Sequence, residues 1–217
     1  MDSGLSYVEI GASREDARVV VILMHGLGAD GHDFADVASS MCQAADPRKW
    51  RFVLPHAPVQ PVTINMGMLM PSWYDILDLS HPREVNWDSV ETSRASIDAL
   101  IEQETVPTMV LAGFSQGAAM ALHVGLRQTR SIAGVLMMSG YLLESEAHPC
   151  PEKSREIPIG IFHGSEDGMV PIQAAERTLE ALKTAGHGPT LNVYEGIEHA
   201  VCDEEIRDVY DWLEQAT

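Results

Sequence analysis

Residues 109–124 read MVLAGFSQGAAMALHV, and this stretch decides the predicted fold. Its aliphatic opening predicts a buried strand over residues 109–112, and its small residues predict a closely packed helix over residues 116–127. Between the two stands Gly113-Phe114-Ser115-Gln116-Gly117, which matches the pattern G-x-S-x-G. In that context the pattern is typical of a sharp strand-to-helix turn that holds a serine hydroxyl above the sheet. Ser115 is therefore the candidate nucleophile.

Apolar strands alternate with helices on both sides of this turn. The predicted strands cover residues 19–24, 51–54, 109–112, 132–138, 157–162 and 191–194. The predicted helices cover residues 34–45, 88–104, 116–127, 172–185 and 203–214. Such alternation is typical of a mostly parallel sheet with helices on both faces. Because 217 residues suit one core and are short for two, residues 1–217 are predicted to form a single α/β domain.

The composition excludes several classes of partner. The 14 basic and 32 acidic residues give a formal net charge of -18, which repels phosphate backbones, so we expect no nucleic-acid partner. No run approaches the roughly 20 apolar residues of a membrane span, and the N-terminus lacks a signal-peptide pattern, so we expect no stable membrane insertion. The three cysteines fit neither a zinc spacing nor a disulfide framework, which predicts a reduced cytoplasmic setting without a metal.

Acidic residues are absent from two windows, residues 47–74 and 105–143. Because acidic side chains avoid buried surface, these windows predict core and pocket. The second window contains Ser115. The first contains the apolar segment Asn65-Met66-Gly67-Met68-Leu69-Met70, which we expect to be an exposed loop.

A serine hydroxyl is a weak nucleophile and needs a general base, which is itself oriented by an acid. The elbow pattern predicts the chain order serine, acid, histidine. Two acids, Glu166 and Asp167, compete in the loop after the predicted strand 157–162. Their position favours Asp167, whose alternative role is to cap the helix that begins near Pro171.

The candidate base is His199, which follows the last predicted strand and precedes the last helix. Its alternative is a surface loop histidine. His163 stands at a strand end that is too early in the chain. His187 lies at a helix C-terminus, where the helix dipole alone favours a cation.

Acyl transfer also needs hydrogen-bond donors for the developing oxyanion. One predicted donor is the backbone N–H of Gln116, directly after the nucleophile. The other is the backbone N–H of Leu27, in the loop His25-Gly26-Leu27-Gly28, where glycines permit amides to turn inward.

A second motif points to a different class of enzyme. Residues 26–31 read GLGADG and match the dinucleotide-binding pattern G-x-G-x-x-G. That pattern requires an acid about 20 residues on, at the end of the second strand. Asp46 has this spacing but precedes the predicted strand 51–54, so we disfavour a nucleotide site.

The assembled motifs identify a resemblance. From about Val19 to the C-terminal helix, the chain resembles the acyl-protein thioesterase, lysophospholipase and carboxylesterase family of small α/β-hydrolases. The segments that carry the resemblance are residues 25–28 (HGLG), 55–58 (PHAP), 70–75 (MPSWYD), 113–117 (GFSQG), 163–167 (HGSED) and 195–199 (EGIEH). The chain departs from many relatives at Ala118, where they have another glycine, and in a short link between residues 104 and 109.

The resemblance implies an α/β-hydrolase fold without a large cap domain. It also implies a triad of Ser115, Asp167 and His199, with Leu27 and Gln116 as oxyanion donors and no cofactor. In the family that the chain resembles, the segment that corresponds to residues 65–70 lies beside the acyl channel. We therefore expect the pocket to be lined by Met68, Leu69, Met70, Trp73 and Val170, although methionines in ordinary core are an equal alternative.

These features predict a serine carboxylesterase that cleaves carboxylic esters of short to medium acyl chains through an acyl-enzyme. An alternative is an acyl-protein thioesterase or lysophospholipase that acts on long-chain acyl thioesters or lysolipids. A remote alternative is a non-catalytic binding module of the same fold. The expected partners are a small ester, a lipid or an acylated protein, and the exposed apolar loop is also compatible with a homodimer.

Overall fold

The computed structural model describes residues 4–44, 46, 49–80, 82–152 and 156–217. Three features of the sequence prediction therefore lie outside the described residues. They are the last residue of the first predicted helix, Ala45, the start of the first acid-free window, Pro47, and the first three residues of the N-terminal stretch.

A seven-stranded sheet forms the centre of the molecule. The strands of the described residues are β1 (Tyr7–Gly11), β2 (Val19–Met24), β3 (Trp50–Pro55), β4 (Val59–Val62), β5 (Met68–Pro71), β6 (Thr108–Phe114), β7 (Gly134–Met138), β8 (Ile159–Gly164) and β9 (Pro189–Tyr194). Their order in the sheet is β1-β3-β2-β6-β7-β8-β9, and β4 pairs with β5 in a separate hairpin. Only the edge strand β1 is antiparallel to its neighbour in the large sheet.

Helices cover both faces of the large sheet. They are α1 (Ala35–Ala44), α2 (Trp87–Gln103), α3 (Gln116–Arg127), α4 (Ile172–Thr184) and α5 (Asp203–Ala216). The apolar side chains of α2, α3 and α4 pack into one core cluster, and those of α1 and α5 pack into the other. Because α3 lies against the middle of the sheet, all of its residues from Gln116 to Leu126 are buried, which explains its small side chains.

The predicted elements agree with the structure to within two residues at each described end. The α/β-hydrolase fold with a mostly parallel sheet and no large cap domain is thus confirmed. Two features were not predicted: the edge strand β1 and the β4–β5 hairpin. The hairpin corrects the expectation of a loop at Met66–Met70, because Met68–Pro71 pairs with Val59–Val62. Its prolines, Pro61 and Pro71, obscure the strand pattern in the sequence.

The carboxyl ends of the parallel strands position the site. Strands β2, β6, β8 and β9 end at the same edge of the sheet, so the segments that follow them meet there. No helix among the described residues has both the length and the apolarity of a membrane span. The thiols of Cys42, Cys150 and Cys202 are free, and the cytoplasmic setting stays a prediction.

Candidate active site

Ser115 stands at the turn between β6 and α3. Its backbone has φ 55° and ψ -117°, a conformation that non-glycine residues rarely adopt and that marks stored strain. The two glycines of the motif make this turn sterically feasible. A Cβ atom on Gly113 would overlap the backbone of Gly117, and one on Gly117 would overlap the backbone of Met24. The spacing G-x-S-x-G therefore has a packing cause, since α3 passes directly over the ends of β6 and β2.

Three predicted side chains meet at this edge. The Ser115 Oγ atom lies 2.9 Å from His199 Nε2, and His199 Nδ1 lies 2.6 Å from Asp167 Oδ2. In the tautomer that satisfies both contacts, Nδ1–H donates to the carboxylate and Nε2 accepts from the serine hydroxyl. The His199 ring also packs against Phe114, with ring centroids 4.9 Å apart. This arrangement can abstract the serine proton and hold the resulting imidazolium.

The carboxylate of Asp167 is held on both of its oxygens. Oδ1 accepts the backbone N–H groups of Met169, at 2.9 Å, and Val170, at 2.8 Å, while Oδ2 accepts from His199. Burial opposes ionisation of this group, but the hydrogen bonds from His199 and Val170 outweigh burial and lower the pKa of Asp167. The side chain therefore closes a local turn and makes no cap for α4, which has no side-chain cap at Pro171.

No competing side chain among the described residues hydrogen-bonds to Ser115, although His163 Nε2 lies 3.5 Å from Asp167 Oδ2. Glu166 is exposed and directs only its backbone amide inward, to the Ile197 carbonyl. His163 is fully buried, and its Nε2 lies 2.7 Å from the Val170 carbonyl oxygen. Burial lowers the pKa of His163, so the ring is neutral and Nε2–H is the donor. His187 contacts the Pro151 carbonyl on a different part of the surface.

The two predicted oxyanion donors face the same cavity as Ser115. Leu27 and Gln116 both line it. Gln116 is the first residue of α3, where a backbone N–H has no partner within the helix, and the described residues offer no acceptor for the Leu27 N–H. Both amides are therefore available to a ligand. Gly28, with φ 79°, turns the loop and donates its own N–H to the Pro71 carbonyl at 2.9 Å.

Buried polar side chains that the sequence did not single out hold this loop in place. His25 Nε2 accepts the Ala57 N–H at 3.1 Å, and its Nδ1–H donates to the Gly26 carbonyl at 2.7 Å. Burial lowers the pKa of His25, which keeps it in the neutral form that both bonds require. The Gln116 side chain accepts the Trp73 N–H at 2.9 Å and donates to the Tyr74 carbonyl at 2.7 Å. One sequence feature does point to His25, because it directly follows a buried strand.

A cavity of about 420 Å³ opens beside the serine, and its wall is mostly apolar. Of the predicted pocket residues, Met70 and Val170 line it. The expectation was wrong for Trp73, which is fully buried in the core with its Nε1–H on the His25 carbonyl at 2.9 Å. It was also wrong for Met68 and Leu69, which are 59% and 66% exposed outside the cavity. The remaining apolar wall residues, which were not predicted, are Ala29, Ile64, Ile76, Leu79, Phe114, Tyr141 and Met169.

Position along β5 separates these methionines. Met68 and Met70 are two residues apart and point to the same side of the strand, but Met68 stands at its exposed start and Met70 at its partly buried end, where the Pro71 carbonyl accepts the Gly28 N–H. Met66, at 94%, is the most exposed large apolar residue of the described chain. The homodimer that this surface is compatible with stays a prediction.

One side-chain cluster near the site could hold a metal ion. Ligand atoms of Asp30, His32 and His56 lie within 4.8 Å of one another. However, His56 Nδ1 accepts the Gly31 N–H at 3.1 Å, so Nε2 carries the proton in the neutral ring and cannot coordinate without loss of that bond. Asp46, the acid with dinucleotide-like spacing, pairs with Arg18 at 3.5 Å on the surface. The absence of metal and cofactor stays a prediction.

Comparisons with known proteins agree on one family. Residues 5–217 match the family described as Phospholipase/Carboxylesterase. Acyl-protein thioesterase 1 of Gibberella zeae is 36% identical over 207 residues, which cover 89% of this chain and 88% of that protein. Acyl-protein thioesterase 1 of Neurospora crassa is 37% identical over 207 residues, which cover 89% of this chain and 84% of that protein. The crystal structure of Arabidopsis thaliana SOBER1 superposes with a TM-score of 0.84 at 27% identity, covering 92% of this chain and 99% of that one.

Proposed function

The chain belongs to the phospholipase and carboxylesterase family and is a serine hydrolase, and from this premise we propose that Ser115, His199 and Asp167 are its catalytic triad. The observation that carries the proposal is the continuous chain of contacts, 2.9 Å from Ser115 Oγ to His199 Nε2 and 2.6 Å from His199 Nδ1 to Asp167 Oδ2. Membership in an enzyme family leaves the non-catalytic binding module without support.

Acylation follows from these contacts. His199 Nε2 takes the proton of the Ser115 hydroxyl while Oγ attacks the carbonyl carbon of the substrate. The backbone N–H groups of Leu27 and Gln116 stabilise the negative charge on the carbonyl oxygen, and each such donor contributes roughly 3 kcal/mol. The bond between carbonyl carbon and leaving group then breaks, and the alcohol or thiol leaves with the proton from His199.

Deacylation reuses the same groups. A water molecule gives one proton to His199 Nε2 and attacks the acyl carbon, and the bond to Ser115 Oγ breaks. The proton returns to the serine, and a carboxylic acid departs. Asp167 keeps the imidazole in the required tautomer in both halves, and its lowered pKa keeps it ionised.

The substrate is an acyl ester in this proposal. We assign the acyl chain to the apolar wall of the 420 Å³ cavity, where Met70, Ile76 and Val170 are available for contact. Carboxylic esters of short to medium acyl chains suit an open, uncapped site of this size. Acyl thioesters are the second candidate, because relatives that are 36% and 37% identical are named acyl-protein thioesterases.

A panel of p-nitrophenyl esters and acyl thioesters with graded chain lengths tests both candidates. We expect hydrolysis of several members by the wild-type protein and a loss of about 10⁶ in kcat for Ser115→Ala, as in a comparable triad. The matched control is Ser139→Ala, because Ser139 also has a positive φ, 48°, after the neighbouring strand β7. Activity of Ser115→Ala within tenfold of the control would overturn the triad. The thioester-to-ester ratio at each length decides between the two substrates.

A further inference from the structure

The segment that carries the candidate acid is a tight turn at residues 167–170, here called the acid turn. It follows β8 and precedes α4. Its inner residues, Asp167 and Val170, are 4% and 2% exposed, and the Val170 carbonyl accepts from His163 Nε2 at 2.7 Å. Packing and a buried histidine therefore fix the inner half of the turn.

The outer half of the acid turn has no such packing. A Cβ atom on Gly168 would meet no atom within 4 Å, and the Met169 side chain is 65% exposed. The position of Met169 therefore depends on its two backbone hydrogen bonds. Its N–H donates to Asp167 Oδ1 at 2.9 Å, and its carbonyl accepts from Arg83 Nη2 at 2.6 Å. The peptide groups around Met169 thus connect Arg83 to the candidate acid.

Arg83 reaches the turn from a well-anchored segment. Ile76 and Val85 form an antiparallel bridge, and the Leu77 N–H donates to the carbonyl of Glu84, the residue after Arg83, at 2.9 Å. The guanidinium stands over the ring of Tyr141, with 5.3 Å between Cζ and the ring centroid. The Arg83 side chain also lines the active-site cavity.

Arginine is a poor choice at this position if stability alone is considered. Its Nε and Nη1 atoms are buried and have no hydrogen-bond partner among the described residues. Unsatisfied buried donors are costly, more so on a charged group. An apolar side chain of similar length would pack against Tyr141 without that cost. Among the described residues, the hydrogen bond to the Met169 carbonyl is the one hydrogen bond that the Arg83 side chain makes.

We propose that Arg83 is a positioning residue for the candidate triad: through the Met169 carbonyl it fixes the outer half of the acid turn and so the orientation of Asp167 toward His199. The inference rests on the proposed function of Asp167. In this arrangement Arg83 touches none of the reacting atoms, so it acts on the rate through Asp167. Arg83 stands two residues before Val85, which pairs with Ile76 of the cavity wall. Its hydrogen bond to Met169 therefore connects that part of the wall to the acid turn.

The first test replaces the guanidinium and measures kcat and KM on a p-nitrophenyl ester, with kcat expressed per active site titrated by a fluorophosphonate. For Arg83→Met we expect kcat to fall roughly 10- to 100-fold, the size of effect that a small misplacement of a catalytic group produces. We expect KM to change less than threefold. Arg83→Lys retains one donor for the Met169 carbonyl and should recover at least a third of the lost rate.

The matched control is Arg177→Met. Arg177 is exposed, lines the same surface groove as Arg83 and makes no hydrogen bond to the acid turn among the described residues. The Arg177→Met variant removes the same positive charge close to Arg83 but no hydrogen bond to the acid turn. Its kcat should therefore stay within twofold of wild type. A role of Arg83 in folding alone would lower the number of titrated sites and leave kcat per site unchanged.

The second test separates this inference from the proposed function on which it rests. If Arg83 acts through Asp167, Arg83→Met should lower kcat less than twofold further in the Asp167→Asn background. Full activity of Asp167→Asn alone would refute the triad itself. A large loss in Asp167→Asn together with a full additional 10-fold loss in the double variant would refute only the positioning role. A rise in KM without loss of kcat in Arg83→Met would also refute it, in favour of a cavity-wall role.

Discussion

Two buried carboxylates lie at opposite ends of the parallel sheet, and each faces a basic side chain. At the carboxyl end, Asp167 pairs with His199 at 2.6 Å. At the amino end, Glu104 pairs with Arg51 at 3.2 Å, and Arg14 and Glu9 complete the cluster. Both carboxylate side chains are 0% exposed. The two pairs are therefore similarly buried, yet we propose a catalytic role for only one of them.

The difference lies in the base and in its access. Burial opposes the charge of Arg51, but the carboxylates of Glu9 and Glu104 outweigh burial and raise its pKa, so this pair never exchanges a proton. Histidine can release its proton near neutral pH. The His199 side chain is 20% exposed and faces a cavity of about 420 Å³, whereas that of Arg51 is 2% exposed. The proposed catalytic role therefore goes to the carboxylate whose basic partner a substrate can reach.

The largest expected effect is on activity at the carboxyl end. In Asp167→Asn, the amide oxygen can still accept the Met169 and Val170 N–H groups, but the amide NH₂ then faces His199 Nδ1 and favours the wrong tautomer. We expect kcat to fall about 10⁴-fold, as in a comparable triad, with little change in the melting temperature. Steady-state kinetics and thermal unfolding of the same preparation check this. A kcat within tenfold of wild type would contradict the role of Asp167.

The corresponding change at the amino end should affect stability and leave the chemistry intact. Glu104→Gln leaves the buried Arg51 with only the half-exposed Glu9 as counter-charge. We expect the free energy of unfolding to fall by about 3 kcal/mol, with kcat per titrated site unchanged. Urea unfolding measures it. The control is Glu180→Gln, which removes an exposed partner of Lys183 and should cost under about 0.5 kcal/mol. Equal effects of the two variants would show that burial does not govern this pair.

A third buried carboxylate, that of Glu205, pairs with no basic side chain among the described residues and sharpens the contrast. Burial raises the pKa of Glu205 to about 7. Because this folded-state pKa lies above the unfolded value, the protonated group stabilises the fold at low pH, and that stability is lost as the pH rises through 7. Between pH 5 and pH 8, wild type should lose about 2–3 kcal/mol more than Glu205→Gln. Parallel stability profiles of the two proteins would contradict this expectation.

The smallest expected effect concerns the two ends of β5. Met70 lines the cavity and Met68 does not, so Met70→Ala should lower kcat/KM for longer acyl esters about fivefold, which corresponds to ~1 kcal/mol, the lower end of what an apolar contact supplies in a pocket. Met68→Ala should leave kcat/KM for water-soluble esters unchanged. Rates across the graded ester panel check both. An equal loss in the two variants would contradict the assignment of the cavity wall.

The sheet and the proposed triad are both predictable from the sequence, for identifiable physical reasons. Strands such as residues 19–24 are buried on both faces, so their aliphatic runs are unambiguous. Ser115, Asp167 and His199 each follow a strand, and parallel strands bring such positions to one edge. The position of a side chain relative to a cavity is different, because it depends on tertiary packing. Trp73 was expected in the pocket but lies in the core, since its indole N–H meets the His25 carbonyl. Arg83 likewise has no sequence signal, because its partner Met169 is 86 residues away.

Mass spectrometry of an acid-quenched reaction with a p-nitrophenyl ester detects the proposed acyl-enzyme directly. We expect the peptide containing Ser115 to gain the mass of one acyl group within the first turnover. We expect the Ser115→Ala protein to gain none and Asp167→Asn to acquire the acyl group more slowly than wild type. An acyl group on another residue, or hydrolysis at the wild-type rate without acylation of Ser115, would contradict the proposed acyl-enzyme.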